Sequence, residues 1–124
     1  DLSSPERARR TADALLDAMP SSHLDFFAAL RTSVTFGDFF FCHAGIRPGV
    51  PLEQQRPHDL MWIRNVFLDD TRLHPKVVVH DHTPTITAEL LANRVNVDTG
   101  AFRTNRLTAL VVDGASKRLL EVGA

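Results

Sequence analysis

The sequence predicts an α/β fold, two helices followed by a mixed β-sheet region. Three observations predict it. Apolar residues recur at helical spacing through residues 5–30. From Ser33 onward, apolar runs too short for an ordinary helix take their place. Gly, Pro and an Asp-Gly pair punctuate those runs as turns would.

Each element has its own reason. Ser4 ahead of Pro5 is a helix start, because Pro tolerates the first turn, where its missing N–H is not needed. The helix should run to Met19, with Ala8, Ala12, Leu15, Leu16 and Met19 on one face, and stop at Pro20. Ser21 or Ser22 caps a second helix through Leu30, with Leu24, Phe27 and Leu30 turned inward. Ser33–Phe36 and Phe39–Cys42 read as a hairpin across Gly37-Asp38. The second of these strands is apolar at every position, so it should be buried on both faces. A Gly- and Pro-containing loop follows from Gly45 to Pro57. Asp59 should open a short helix through about Phe67, with Met61, Trp62 and Phe67 as its apolar contacts. Lys76–His80 is the clearest buried strand. Strands around Ile86–Leu91 and Arg94–Val97 come next. Arg106–Val112 pairs with Arg118–Val122 across Asp113-Gly114. There is no repeat, low-complexity tract or linker, so the elements read as one packed unit.

The chain has 124 residues, 44% of them hydrophobic, with a formal net charge of −1. A domain of this size buries about two-thirds of its unfolded surface, so it can carry a core without staples. The single cysteine, Cys42, excludes an internal disulfide scaffold. Near-neutral charge argues against a nucleic-acid binder. No apolar run approaches the roughly 20 residues of a membrane span, and the polar opening Asp1-Leu2-Ser3-Ser4-Pro5 does not read as a signal peptide. A cytoplasmic protein that binds neither nucleic acid nor membrane is the expectation. Arginine outnumbers lysine twelve to two; genomic base composition explains that bias most simply.

The chemistry concentrates at the ends of two buried strands. Phe41-Cys42-His43-Ala44-Gly45 closes one, and Val79-His80-Asp81-His82-Thr83-Pro84 the other. Ligand sites in open α/β sheets lie at the carboxyl ends of strands, and imidazole binds Zn, Mn and Fe. A buried histidine hydrogen-bonded to backbone is the competing reading, and the paired layout leaves the two about even. Asp98-Thr99-Gly100 should form a turn whose side chains hydrogen-bond nearby backbone. His23, His58 and His74 read as structural or solvent-facing. Arg94, Arg103 and Arg106 read as solvated, and Cys42 as an inert thiol in an apolar strand.

These residues resemble a family. Phe41 through Gly49 is similar to the H-A-G segment of bacterial and phage Ser/Thr protein phosphatases, in the calcineurin-like metallophosphoesterase superfamily. Val79–Pro84 resembles its G-H-T-P segment, and Asp59–Arg64 its W-x-R segment. Asn96–Ala101 with Leu107–Leu110 resembles its D-T-G-A and L-T-A-L ending. The four occur in the family's order and cover most of residues 23–112.

The resemblance implies the C-terminal half of an αββα sandwich and a two-metal phosphoesterase. His43 and His82 would be ligands of one of two divalent ions (Mn, Fe or Zn), and Arg64 would hold the substrate phosphate. His80, Asp81 and Asp98 would stand behind them. The substrate would be a phosphorylated protein or a small phosphoester, most plausibly phospho-Ser/Thr. A dinucleoside polyphosphate hydrolase is the alternative activity. A non-catalytic remnant acting as a binding or assembly module is the alternative from another class.

The family's G-D-x-H-G, G-D-x-x-D-R-G and G-N-H-E segments do not occur in residues 1–124. The chain therefore reads as the C-terminal portion of one domain, inactive alone, which self-associates or swaps through its exposed half-domain surface. Asp81 stands where the family has Gly before the metal-binding His; a positive φ there would strain it and perturb the site.

Overall fold

The computed structural model describes residues 4–123, so the first three residues of the polar opening lie outside the described part. The chain is mixed α/β and divides into two compact units between Arg31 and Thr32. No helix is long and apolar enough to cross a membrane among the described residues.

The first unit is two helices, α1 (Pro5–Ala18) and α2 (Ser21–Ala29). Pro5 occupies the first turn of α1, as expected, and Pro20 separates the helices. Their packing differs from the sequence reading. No residue of either helix is buried, and Leu15, Leu16, Leu24, Phe27 and Leu30 are all exposed. An amphipathic face becomes a core only when a second layer covers it.

The second unit holds a five-stranded sheet in the order β1-β2-β3-β5-β4. Its strands are β1 (Ser33–Phe36), β2 (Phe39–Cys42), β3 (Val77–His80), β4 (Glu89–Leu90) and β5 (Arg94–Asn96). The central three are parallel to one another, and both edges are antiparallel. The strand expected over Ile86–Leu91 is only the two residues of β4. Strands β6 (Arg106–Asp113) and β7 (Ser116–Gly123) form a separate hairpin. Its turn is Gly114-Ala115, with Gly114 at φ +56° in the first central position, which suits glycine.

Alternation along β2 and β3 sends side chains to two cores. Phe40 and Val78 face one way, packing with Ala44, Ile46, Leu60, Ile63 and Phe67. Phe39 and Val79 face the other way with Val95, and Leu110 and Val112 of β6 pack against them. A helical layer and a second sheet thus cover opposite faces of the main sheet. Two-sided burial holds for Phe39 and Phe40; Phe41 and Cys42, toward the strand's end, are half-buried.

The helix expected from Asp59 to Phe67 is instead two helices, α3 (Pro57–Trp62) and α4 (Asn65–Leu68). Ile63 between them is extended, with φ −62° and ψ 146°. Asp59 lies inside α3, not at its start, and its carboxylate accepts two hydrogen bonds from Arg47, at 2.8 and 2.9 Å. Met61 and Trp62 are exposed, whereas Phe67 is fully buried.

A four-residue helix, α5 (Ala101–Thr104), follows the Asp98-Thr99-Gly100 turn and was not legible beforehand. It is bracketed by Gly100 and Asn105, both left-handed, and Asn105 fills the turn position as its side chain allows. Arg94 is not solvated: its side chain is 8% exposed and its Nη1 donates to Glu89 at 2.6 Å.

Candidate metal centre

The site begins with strand pairing. β2 and β3 are parallel neighbours in the register Phe39↔Val77, Phe40↔Val78 and Phe41↔Val79. Their carboxyl ends therefore emerge side by side. The Asp81 N–H donates to the His43 carbonyl at 2.9 Å, carrying the pairing one step past the strands. His43 and His82, 39 positions apart in sequence, meet with His43 Nε2 and His82 Nδ1 3.0 Å apart. Their rings are 4.8 Å apart, edge to face. Trp62 packs edge-on against His82 with ring centroids 5.6 Å apart, so the W-x-R segment supplies a wall as well as a cation.

Surrounding loops are tied down by backbone and amide contacts. The Ala44 N–H donates to the Leu60 carbonyl at 2.7 Å, fixing the β2 end to α3. Asn96 Nδ2 donates to the Thr83 carbonyl at 2.9 Å, and Asn96 is fully buried. The sequence reading missed Asn96. Its signal is a polar amide in a strand, where asparagine is disfavoured unless it has a task. Asp98 Oδ1 accepts from the Gly100 N–H at 2.9 Å, and Thr99 Oγ1 donates to the Arg106 carbonyl at 2.8 Å. Asp98 closes its own turn, as read from the sequence, whereas Thr99 ties the segment to the start of β6.

Positive φ falls on His82, at +75°, and not on Asp81, so the strain expected at Asp81 lies one residue later. Asp81 acts through charge instead. Its Oδ1 lies 2.7 Å from His43 Nδ1, without the alignment of a hydrogen bond. Burial, the main cause, raises the Asp81 carboxyl above its ordinary value against the opposing pull of His43. Burial lowers His82, and the nearby Arg64 guanidinium lowers it further. Arg64 is therefore near enough for its charge to be felt at His82. It forms no ion pair with Asp69 or Asp70 among the described residues; Asp70 is taken by Arg72 at 2.7 Å.

His80 points away from this pair. It is 1% exposed, edge-on to Phe67 at 5.0 Å. Its Nδ1–H donates to the Asp81 carbonyl at 3.1 Å, and Arg94 Nη1 stands 3.4 Å from its Nε2. Burial lowers it to about 4, so it is neutral at pH 7. His23 and His58 are exposed, and His74 stacks on Phe67 at 5.7 Å. Burial pushes the Cys42 thiol up to about 12, in keeping with an inert role.

Two observations bear on a metal ion. Metal–imidazole bonds of about 2.0–2.1 Å would place adjacent ligand nitrogens roughly 2.9–3.4 Å apart; the 3.0 Å His43–His82 separation falls in that range and is also that of an N–H···N hydrogen bond between the two rings. His82 Nε2 is buried without a partner, but it lies on the opposite side of the ring from the Nδ1 that meets His43, so it does not add to the same ion's ligands. Against this, no group of three or more His, Cys, Asp or Glu side chains among the described residues could hold an ion. The pair fits as part of a coordination sphere. A cavity of about 890 Å³ lies away from both imidazoles, beside β1 and the loop 70–76.

No family model matches the chain, and none of the curated proteins matches it.

Proposed function

We propose that the chain is the C-terminal part of a calcineurin-like metallophosphoesterase, one acting on phospho-Ser/Thr in proteins. One observation carries the reading: the two strand-end histidines of the H-A-G-like and H-T-P-like segments converge at 3.0 Å. The helix–sheet–sheet layering supports it, as three of the four layers that an αββα sandwich would have. His43 and His82 would hold one of two divalent ions. Bound there, the ions would supply a water activated near neutral pH and a clamp on the phosphoryl oxygens. Arg64 would bind the remaining phosphate oxygens in a bidentate fashion. Trp62 would hold the His82 ring in place.

A non-catalytic reading is favoured by one feature. The Asp81 carboxylate stands 2.7 Å from His43, bringing negative charge to where an anionic substrate would approach.

Manganese titration of the full chain, followed by histidine-selective NMR, tests the proposal. His43 and His82 resonances should broaden first, and His43→Ala should remove the effect at His82. Broadening spread evenly over the six histidines would refute the site. Assayed alone with manganese and p-nitrophenyl phosphate, the chain should show no turnover above metal and buffer. Robust turnover would overturn the partial-domain reading.

A further inference from the structure

The β6–β7 hairpin has two strands of eight residues, and among the described residues nothing pairs with the outer edge of β7. Such an edge presents unmet N–H and C=O groups, and a two-stranded ribbon is the least stable form of sheet. β7 is exposed along its length except at Leu119, which is half-buried.

The ladder determines what that edge offers. Asp113 and Ser116 close the two-residue turn as a hydrogen-bonded pair, and pair types alternate from there. Lys117, Leu119 and Glu121 fall at the non-bonded positions, so their backbone groups point to the open edge. Their partners are Val112, Leu110 and Thr108. Leu110 and Val112 pack against the main sheet, so Lys117, Leu119 and Glu121 share that inner face.

We propose that this edge pairs with the same edge of a second copy, antiparallel about a two-fold axis at Leu119. In that register Leu119 meets its own symmetry mate. Lys117 of each copy lies directly opposite Glu121 of the other, giving two opposite-charge pairs. Directly opposed side chains in an antiparallel ladder sit about 4.5–5.5 Å apart at Cβ, close enough for such pairs to count. Shifting the register by two residues sets Leu119 opposite Glu121 and loses both charge matches. β6 cannot do the same: its terminal charges, Arg106 and Asp113, lie on opposite faces of the strand. The result is a closed, four-stranded sheet, not an open fibre. On its outer face, the exposed Leu107, Leu120 and Val122 of both copies would form one continuous apolar strip.

Light scattering on the full chain across a concentration series tests this. The parent should reach twice its 13.8 kDa mass. Lys117→Glu and Glu121→Lys should each be monomeric while keeping the parent's circular dichroism. Mixing the two variants should restore the dimer, because each then faces its complement at both positions. A parent that stays monomeric throughout overturns the proposal, as does a Lys117→Glu chain that dimerises as well as the parent. Failure of the mixture to dimerise, with both variants folded, overturns the register.

Discussion

Replacing Gly45 with alanine puts a methyl group into the tightest place beside the candidate site. Gly45 has φ +145°, and an added Cβ would collide with Phe67 Cδ1 and lie 2.7 and 2.8 Å from its Cε1 and Cγ. Phe67 cannot yield easily, because it is fully buried among Phe40, Ile46, Leu60 and Val78. Overpacking a core costs about 1–3 kcal/mol, and forcing a side chain into a sparsely populated backbone region costs about 1–3 kcal/mol more. The expected loss is therefore about 2–6 kcal/mol, against a typical total of roughly 5–15 kcal/mol. For a unit of this size each kcal/mol moves the melting point by about 4–8 °C, so Tm should fall by at least about 8 °C. Thermal unfolding followed by circular dichroism measures it. Gly49→Ala is the control: its φ is +81°, but nothing lies within 4 Å of the added Cβ, so only backbone strain remains. Phe67→Leu in the Gly45→Ala background should lose less than the two single changes added together. A Gly45→Ala chain melting within about 3 °C of the parent, or no lower than Gly49→Ala, would refute the reasoning.

Asp59→Asn should destabilise the chain by about 1–3 kcal/mol, since it removes a charge-assisted bidentate contact to Arg47; urea unfolding at pH 7 checks this. The same pair sets an acid response. The Arg47 guanidinium holds the Asp59 carboxyl below its ordinary value, and Arg72 holds Asp70 down to about 2. Both contributions are present above the unfolded carboxyl pKa and are lost as pH falls through the lowered folded values. Stability should therefore drop below about pH 4, and Asp59→Asn should flatten that drop. Cys42 should react with a thiol reagent at pH 8 far more slowly in the native chain than in denaturant, because burial keeps it protonated. Thr99→Val should cost about 1–2 kcal/mol, removing the bonds of its hydroxyl to the Arg106 carbonyl at 2.8 Å and to the Thr108 hydroxyl at 2.9 Å; Thr108 keeps its bond to Glu121, so Thr108→Val in the same chain should recover little of that loss.

The strands were legible where burial wrote itself into composition. Phe39-Phe40-Phe41-Cys42 and Val77-Val78-Val79 have no polar face, and both became central strands. The β6–β7 hairpin was legible from its turn glycine and flanking runs. The break between α3 and α4 was not, because Ile63 and Arg64 carry no proline or glycine to announce it. The short α5 is too brief to show periodicity and is defined by its two left-handed ends. Arg94 misled because its partner Glu89 is found only once β4 folds back on β5. At the site, strand ends and residue types could be read in advance. The contact between His43 and His82 could not, because it depends on which strands become neighbours. The backbone twist at His82 left no local mark either, as positive φ is uncommon for any non-glycine residue, histidine included.

The meeting of His43 and His82 is set by lateral alignment of two strands, and not by the length of chain that joins them. The connection between them is thus free to vary at its exposed part. Glycines inserted between Leu73, which is 75% exposed, and His74 would lengthen the route and leave both imidazoles where they are. A single residue inserted between Val77 and His80 would do the reverse. It would advance one imidazole by about 3.3 Å and turn alternate side chains to the wrong core. The site is therefore tolerant of length in one stretch and intolerant of it in another only a few residues away.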